Sequence, residues 1–380
     1  MSRSMVVNYE GEPCYEIVIE PDFGRLAEKI RALGYQKEQR ICVITDTNVA
    51  PLYLEEVTAE LKKCCNTVLS FTFPAGEENK NVDTISQIYQ TLIDAKFDRK
   101  DILAALGGGV VGDMCGFAAA TYLRGIDFIQ IPTTLLAQVD SSIGGKTGVD
   151  FQQYKNMVGA FYMPRLVYMN LSTLNTLPDD HFCAGMAEIL KHGLIKDADY
   201  FEWLKKHRDA ILNHDPAVLE DMIAQSCRIK KAVVENDPKE KGERALLNFG
   251  HTAGHAVEKL SDFSLIHGYC VAIGIAAACA LSAGRNLISQ DTKNEILSVL
   301  RQFHLPTSVD NLSATDILSA TKLDKKMESG KIKFILLQSV GSAFIDKSVS
   351  DDELFAAIQS IMPEIMEESA SKSISEDVTF

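Results

Sequence analysis

Three of the eight histidines could form part of a metal site: His251, His255 and His267. His251 and His255 are one helical turn apart in NFGHTAGHAVE, so on a helix both can face one cavity. The spacing resembles the helix of a zinc protease, but Thr252 stands where HExxH requires its glutamate. A protease is therefore a poor interpretation. Spacing alone does not choose two histidine ligands from the three.

A carboxylate could be the third ligand. Glu188 lies in GMAEILKHG, on a predicted apolar helix where a lone charge is costly. Lys191 or His192 on the same face could instead neutralise this acid. Metal binding and a buried ion pair therefore remain alternative explanations of the sequence.

A glycine-rich turn, GGGVVGD at 107–113, follows an apolar strand and precedes a predicted helix. This context suits phosphate or dinucleotide binding, because glycines let the backbone approach a pyrophosphate and a helix N-terminus favours negative charge. The usual supporting acid is not clear, since Asp127 begins a strand instead of ending one. Asp46, which ends the first strand in ITDTN, is a better candidate for a ribose ligand. A tight structural turn is the alternative.

The stretch PTTLLAQVDSSIGGKTGVD, at 132–150, concentrates hydroxyls and glycines around Asp140 and Lys146. Lys155 and Asn156 follow it. Loops that carry so much polar chemistry are commonly functional. The sequence predicts a substrate or cofactor loop here, with a solvated loop as the alternative.

Several cations stand in or beside these segments, although acids outnumber bases by 52 to 38. Singly, each is most often a solvated surface charge. If they converged on one cleft, they would suit a ligand with both a phosphate and a carboxylate. They are Lys146, Lys155, Lys191, Lys230, Arg244, Lys325 and Lys326.

Alternating strands and helices in the first half must position these residues. The predicted strands are 41–45, 67–73, 101–107, 128–132 and 165–170, and the predicted helices are 51–64 and 82–97. Strands separated by helices of this length indicate a parallel sheet with helical crossovers.

The second half has mainly helical patterning, from about 177 to 286, with a break at 239–244. A late hairpin (332–338 and 342–347) and a final helix precede a polar tail. We therefore expect an α/β domain with a parallel sheet and a mainly α-helical domain, with a ligand in the cleft between them. The expected boundaries are 1–176, 177–368 and a flexible tail at 369–380.

Composition narrows the class of protein. A chain of 380 residues with 46% hydrophobic content can fill two cores, and its net charge of −14 argues against a general polyanion binder. Nine scattered cysteines without a CxxC suit a reducing cytosol. No apolar run approaches the ~18 residues of a membrane span, and the start lacks a signal-peptide pattern.

These stretches together resemble the 3-dehydroquinate synthases of the sugar phosphate cyclase superfamily, from about residue 5 to 362. The resemblance rests on nine motifs in the family's order. They are PAGEENK (74–80), GGGVVGD (107–113), TYLRG (121–125), IPTTLLAQVDSSIGGKTGV (131–149), KNMVGAFYMP (155–164), AEILKHGLI (187–195), RALLNFGHTAGHAVE (244–258), LIHG (265–268) and LDKK (323–326).

The resemblance implies that the α/β domain is an N-terminal NAD-binding domain, followed by a C-terminal helical domain, in a homodimer. It also implies a divalent metal, usually zinc or cobalt, on Glu188, His251 and His267. It assigns NAD contacts to Asp46, Asn48, Glu77, Lys80, Gly109, Val110, Val111, Gly112, Asp113, Thr133, Thr134, Lys146, Lys155, Thr173, Leu174, Asn175 and Thr176. It assigns substrate contacts to Asp140, Lys146, Asn156, Lys191, Lys230, Arg244, Asn248, His255 and one or both of Lys325 and Lys326, with Arg124 reaching the phosphate from the neighbouring subunit.

The implied reaction belongs to the shikimate pathway of aromatic amino acid biosynthesis. It converts 3-deoxy-D-arabino-heptulosonate 7-phosphate to 3-dehydroquinate and phosphate, through transient oxidation by NAD, elimination, re-reduction and aldol closure. The alternatives are a cyclase acting on sedoheptulose 7-phosphate, a metal-dependent polyol dehydrogenase and an inactive regulatory subunit.

Two residues depart from the family's pattern. Tyr269 stands where the family usually has a glutamate after the histidine and glycine of LHG, and that glutamate would support the metal ligands from behind. Asp150 stands where asparagine is common. Neither position carries a primary role in the resemblance.

Overall fold

The computed structural model describes residues 3–152, 154–262, 264–323 and 333–363. The elements of the first half are β1 (Arg3–Tyr9), β2 (Glu12–Glu20), α1 (Leu26–Ala32), β3 (Arg40–Asp46), α2 (Glu55–Leu61), β4 (Thr67–Phe73), α3 (Val82–Asp94), β5 (Ile102–Gly107), α4 (Gly109–Thr121), β6 (Asp127–Pro132), β7 (Lys146–Phe151), β8 (Tyr154–Phe161) and β9 (Leu166–Asn170). The second half contains α5 (Asp179–Lys196), α6 (Ala198–Lys206), α7 (Arg208–Leu212), α8 (Pro216–Asn236), α9 (His251–Leu260), α10 (His267–Gly284), α11 (Gln290–Gln302), α12 (Ala314–Leu323), β10 (Phe334–Ser339), β11 (Ser342–Asp346) and α13 (Asp351–Gln359).

Seven strands form one sheet in the order β1-β2-β9-β6-β5-β3-β4. β1 runs antiparallel to β2, and every other pair in this sheet is parallel. Successive residues of a strand point to opposite faces, so Val43 and Ala104 pack with α1 and α2, whereas Cys42 and Leu103 pack with α3 and α4. Helices on both faces explain why these strands are continuous apolar runs.

The predicted fold class is confirmed: a parallel sheet with helical crossovers precedes a mainly helical part. All five predicted strands of the first half are present, and so is the late hairpin of β10 and β11. The sequence analysis missed the first two strands. β1 is mostly exposed or half-buried, so its sequence lacks the apolar run that marked the inner strands.

Two segments differ from expectation. The helix expected at 51–64 begins as a π-helix, Ala50–Leu54, before α2. The loop expected at 132–150 is ordered instead, with a second π-helix at Ala137–Ser141 and the strand β7. β7 pairs with β8 as an antiparallel hairpin outside the main sheet.

One apolar core joins the sheet to the helices. Ile17 of β2 and Val167 of β9 pack in the same cluster as Phe182 and Ile189 of α5 and Val271 of α10. Every residue of α5 from 182 to 195 is buried. α5 is therefore the central helix of the second half, and its polar residues are interior residues.

The expectation that no segment is apolar enough to span a membrane was wrong for α10. Within the part of the chain that the structure describes, α10 alone is long and apolar enough by length and composition. However, 72% of it is buried inside the protein, and a core helix passes the same test. α10 packs with α5, α9 and α13.

Close packing at α10 yields a test of stability. A Cβ at position 274 would overlap the backbone oxygen of Gly250, which precedes α9. We expect Gly274→Ala to lower the free energy of unfolding by about 1–3 kcal/mol, because the backbone must shift. Gly284→Ala, at the end of the same helix, meets nothing within 4 Å and should be neutral or stabilising. Denaturant unfolding of both variants measures the difference, and equal stabilities would contradict this account.

Candidate functional site

Three helices meet at the residues predicted as metal ligands. Glu188 lies in the middle of α5, and His251 and His267 are the first residues of α9 and α10. One ligand atom from each of the three lies within 4.8 Å of the other two. Gly268 permits this approach, because a Cβ there would overlap the backbone oxygen of Ala184, one turn before Glu188.

The Glu188 side chain is fully buried and forms an ion pair with Lys191. Within the described part of the chain, neither of its oxygens accepts a hydrogen bond. The ion pair with Lys191, which the sequence analysis gives as the alternative to metal binding, is therefore present. It leaves the carboxylate without hydrogen bonds in the interior, which is costly. A cation between this carboxylate and the two imidazoles would offset that cost, and the donor set fits a divalent metal.

His251 presents its Nε2 atom to this carboxylate, at 3.8 Å from Oε1 of Glu188. Its Nδ1 lies 3.3 Å from the backbone oxygen of Phe249. Burial, together with the charge of Lys191, lowers the pKa of His251 well below its usual value. The imidazole is therefore neutral, which is the form that binds metals.

His255 lies one turn after His251 and is exposed. Its ring centroid is 5.0 Å from that of His251 and 6.0 Å from that of His267. Among the described residues, His255 shares a candidate cation group with Glu258 and His267 but not with Glu188. The buried carboxylate thus favours His251 and His267, a choice that spacing left open.

Asp140 and Lys230 form the adjacent wall. The Lys230 ammonium on α8 donates to both the backbone and side-chain oxygens of Asp140. Burial alone would raise the pKa of Asp140, but Lys230 and Lys191 hold it below its usual value. His192 lies beside this pair, and burial lowers its pKa to about 3, so it adds no charge. Lys230 pairs with Asp140 and Lys191 pairs with Glu188, so this wall of the site is lined by two buried ion pairs.

Arg244 is buried between the two halves of the protein. It donates to the backbone oxygens of Pro238 at 2.7 Å and Gly144 at 3.0 Å, and its guanidinium lies over the ring of Phe161. The Gly144 N–H in turn donates to the hydroxyl of Tyr15. These bonds commit two of the five N–H donors of an arginine.

Glu240 lies among the predicted site residues, although the sequence analysis does not identify it. It lies in the break at 239–244, where the sequence predicts only an interruption of the helices. Its carboxylate pairs with Lys146 of β7 and accepts a 2.7 Å hydrogen bond from Asn248. The sequence signal that could have identified Glu240 is its position between two lysines, Lys239 and Lys241, in a short break of the helical pattern. Glu240 brings two predicted substrate residues together.

The predicted dinucleotide residues gather at the carboxyl edge of the parallel sheet, where ligands of α/β proteins commonly bind. The glycine turn joins β5 to α4, and a Cβ at Gly112 would lie 2.6 Å from Oε1 of Gln130. The buried hydroxyl of Thr133 has no hydrogen-bond partner among the described residues. The groups at this edge are Asp46 with Asn48, Gly109 to Asp113, Thr133 with Thr134, and Thr173 to Thr176.

Lys80 connects this edge to the β7–β8 hairpin. Its ammonium lies 2.7 Å from Asp113 and 2.6 Å from Oδ1 of Asn156. Asn156 has a left-handed backbone, with φ of 55°, and its N–H donates to Asp150 at 2.7 Å. Asp150, one of the two departures from the family's pattern, therefore holds a predicted substrate residue in place.

Arg124 lies apart from these residues within one chain. It is exposed at the far end of α4 from the glycine turn, and a helix of 13 residues is roughly 20 Å long. Lys325 and Lys326 lie outside the described residues.

Comparisons with known proteins match both halves of the chain. The 3-dehydroquinate synthase N-terminal family model matches residues 70–184, and the C-terminal model matches residues 185–327. The 3-dehydroquinate synthase of Acetivibrio thermocellus is 43% identical over 90% of this chain and 95% of its own. That of Dichelobacter nodosus is 44% identical over 94% and 96%.

A solved structure has the same fold over nearly its whole length. It is the 2-epi-5-epi-valiolone synthase of Streptomyces hygroscopicus subsp. jinggangensis 5008, with NAD+ and Zn2+ bound. It is 28% identical, with a TM-score of 0.84, and the match covers 94% of this chain and 99% of that one.

Two alanine variants on α9 test which histidines bind a cation. Loss of a residue that only supports a metal ligand typically weakens binding by roughly 10–100-fold. We expect His251→Ala to weaken Zn²⁺ binding by more than this, because it removes a ligand itself. His255→Ala should change the affinity by less than about threefold. Competition with a chromogenic chelator measures both constants. A larger loss in His255→Ala would place the cation on the group formed by His255, Glu258 and His267 instead.

Proposed function

This chain belongs to the 3-dehydroquinate synthase family, and from that membership we propose that it converts 3-deoxy-D-arabino-heptulosonate 7-phosphate to 3-dehydroquinate and phosphate. The observation that carries the proposal is the buried Glu188 carboxylate, which two imidazoles face beside a wall of ammonium groups. The reaction class is a carbon–oxygen lyase that depends on NAD and a divalent metal, zinc or cobalt.

The chain's residues fit both groups. Glu188, His251 and His267 would hold the metal, and the groups along the sheet edge would hold NAD. When bound, the metal would hold and acidify a substrate hydroxyl, and NAD would accept a hydride and return it within one turnover. The Glu188 carboxylate supports the first assignment and the Thr133 hydroxyl supports the second, because neither accepts a hydrogen bond from a described residue.

We assign the carboxylate of the substrate to Arg244. Its guanidinium is 2% exposed and fixed from behind by two backbone oxygens. A guanidinium that is already oriented loses little freedom when it binds a planar carboxylate, and its paired donors match the two oxygens. Lys230 and Lys191 add positive charge nearby.

We assign the phosphate to a group that spans the two halves: Lys146, Asn156, Asn248 and His255, completed by Arg124 of the neighbouring subunit. Glu240 joins Lys146 to Asn248, and Lys80 holds Asn156. Their task is to orient the departing phosphate so that it removes the substrate's proton itself. The protein then needs no separate base to remove this proton.

The position of Arg124 supports a homodimer, because this exposed arginine lies at the end of α4 away from its own site. The cysteines support a reducing, cytoplasmic location, since all nine are free thiols. The net charge of −14 is consistent with a small anionic substrate instead of a nucleic acid or membrane partner.

The proposed reaction is distinguished from its rivals by its redox balance. Incubation of the full chain with metal, NAD and the heptulosonate phosphate should release phosphate without accumulating NADH, because the hydride returns. Colorimetric phosphate detection and absorbance at the NADH band measure both together. NADH accumulation would indicate a polyol dehydrogenase, and turnover of sedoheptulose 7-phosphate alone would indicate the other cyclase.

Arg244→Lys tests the carboxylate assignment. We expect kcat/KM for the heptulosonate phosphate to fall by about 10–100-fold, because an ammonium cannot replace the paired donors. Activity toward sedoheptulose 7-phosphate, which has no carboxylate, should not fall in proportion. Arg285→Lys is the control, since Arg285 pairs with Glu353 on α13. An equal loss with both substrates would refute the assignment.

A further inference from the structure

The structure assigns to Glu258 a role that neither the motifs nor the family match gave it: Glu258 is a positioning residue that fixes the His267 ring for cation binding. This inference rests on the proposed function only in requiring a cation at the site. Glu258 lies two turns after His251 on α9, on the same face, and is 3% exposed.

The contact is made through Nδ1 of His267, which leaves Nε2 as the nitrogen that can bind a metal. Nδ1 of His267 lies 3.2 Å from Oε1 of Glu258. An imidazole whose Nδ1 donates to a carboxylate carries its free lone pair on Nε2. Glu258 therefore selects both the tautomer and the orientation in which His267 can bind a metal through Nε2.

The two histidines are held in the same way, each by an oxygen atom at its Nδ1. His251 directs Nδ1 to the backbone oxygen of Phe249 and Nε2 to Glu188, and His267 directs Nδ1 to Glu258. Partners of this kind fix metal-binding imidazoles and raise their basicity, a carboxylate more than a carbonyl. His267 thus has the stronger of the two supports.

Glu258 is unsuited to bind the cation directly. The same oxygen, Oε1, also accepts from the Lys155 ammonium at 2.9 Å. A metal on that oxygen would meet the positive charge of Lys155 at close range. In the other group, Lys191 pairs with Oε2 of Glu188 and Oε1 faces His251, so the lysine and the imidazole approach different oxygens.

Lys155 extends this arrangement into the sheet domain. Its ammonium lies 3.3 Å from Glu77, which follows β4, as well as beside Glu258 on α9. Lys155 belongs to β8, so the hairpin, the sheet and the helical part meet at one cation. The support of His267 is thereby tied to residues expected to contact NAD.

The same geometry accounts for Tyr269. This residue packs against the main apolar core, and its electrostatic neighbours are Cys183 and Asp180 at the start of α5. The carboxylate that supports His267 comes from α9 instead. The contact between Glu258 and His267 therefore does not depend on the residue at position 269.

Metal binding to the full-length chain tests the inference without any turnover. We expect Glu258→Gln to weaken Co²⁺ and Zn²⁺ binding by about 10–100-fold and to shift the visible bands of the Co²⁺ complex, because His267 loses its charged partner. Glu220→Gln, another buried carboxylate of the helical part, and Tyr269→Phe should stay within about twofold of wild type.

Glu258→Asp keeps the charge but withdraws it from His267, so a comparable loss is expected. Thermal unfolding of the metal-free chains shows which variants fold. Wild-type affinity and Co²⁺ spectrum in either folded variant would overturn the role of Glu258 while leaving the proposed function intact. Failure of the wild-type chain to bind either metal would overturn both.

Discussion

The burial of Glu188 is the constraint on which the rest of the site depends. A carboxylate in the centre of a fully buried helix requires positive charge close by, and the protein provides Lys191 on the same helix. The first residues of α9 and α10, His251 and His267, also lie near this carboxylate. Glycines at 250, 268 and 274 let these helices approach closely enough for two imidazoles to face the acid. The close packing of these helices is therefore also what brings the imidazoles to the carboxylate.

Charges also join the two halves of the chain. Lys146 meets Glu240, and Lys155 meets Glu258, so the β7–β8 hairpin is held to the helical part by two ion pairs. Lys80 holds the same hairpin to the glycine turn through Asp113 and Asn156. A hairpin outside the main sheet thus contacts predicted NAD residues, carries predicted phosphate residues and is linked to His267 through Glu258.

Much of the fold could be predicted from sequence because the inner strands are buried on both faces and read as apolar runs. β1 and the π-helix at Ala137–Ser141 could not, since the first is half exposed and the second has no side-chain period of its own. For the site, spacing found the three histidines, but only the buried Glu188 distinguishes among them. Glu240 and Glu258 were missed because an acid beside lysines resembles a solvated charge until its partners are placed.

The apolar character of α10 has a consequence for the order in which the chain is made. α10 has the length and composition of a membrane span, so outside its core it would be a liability in a newly synthesised chain. Two of the helices that cover it, α5 and α9, precede it and leave the ribosome first. The surface that receives α10 can therefore begin to assemble before the helix emerges, and the chain order itself shortens the helix's exposure to chaperones and membranes.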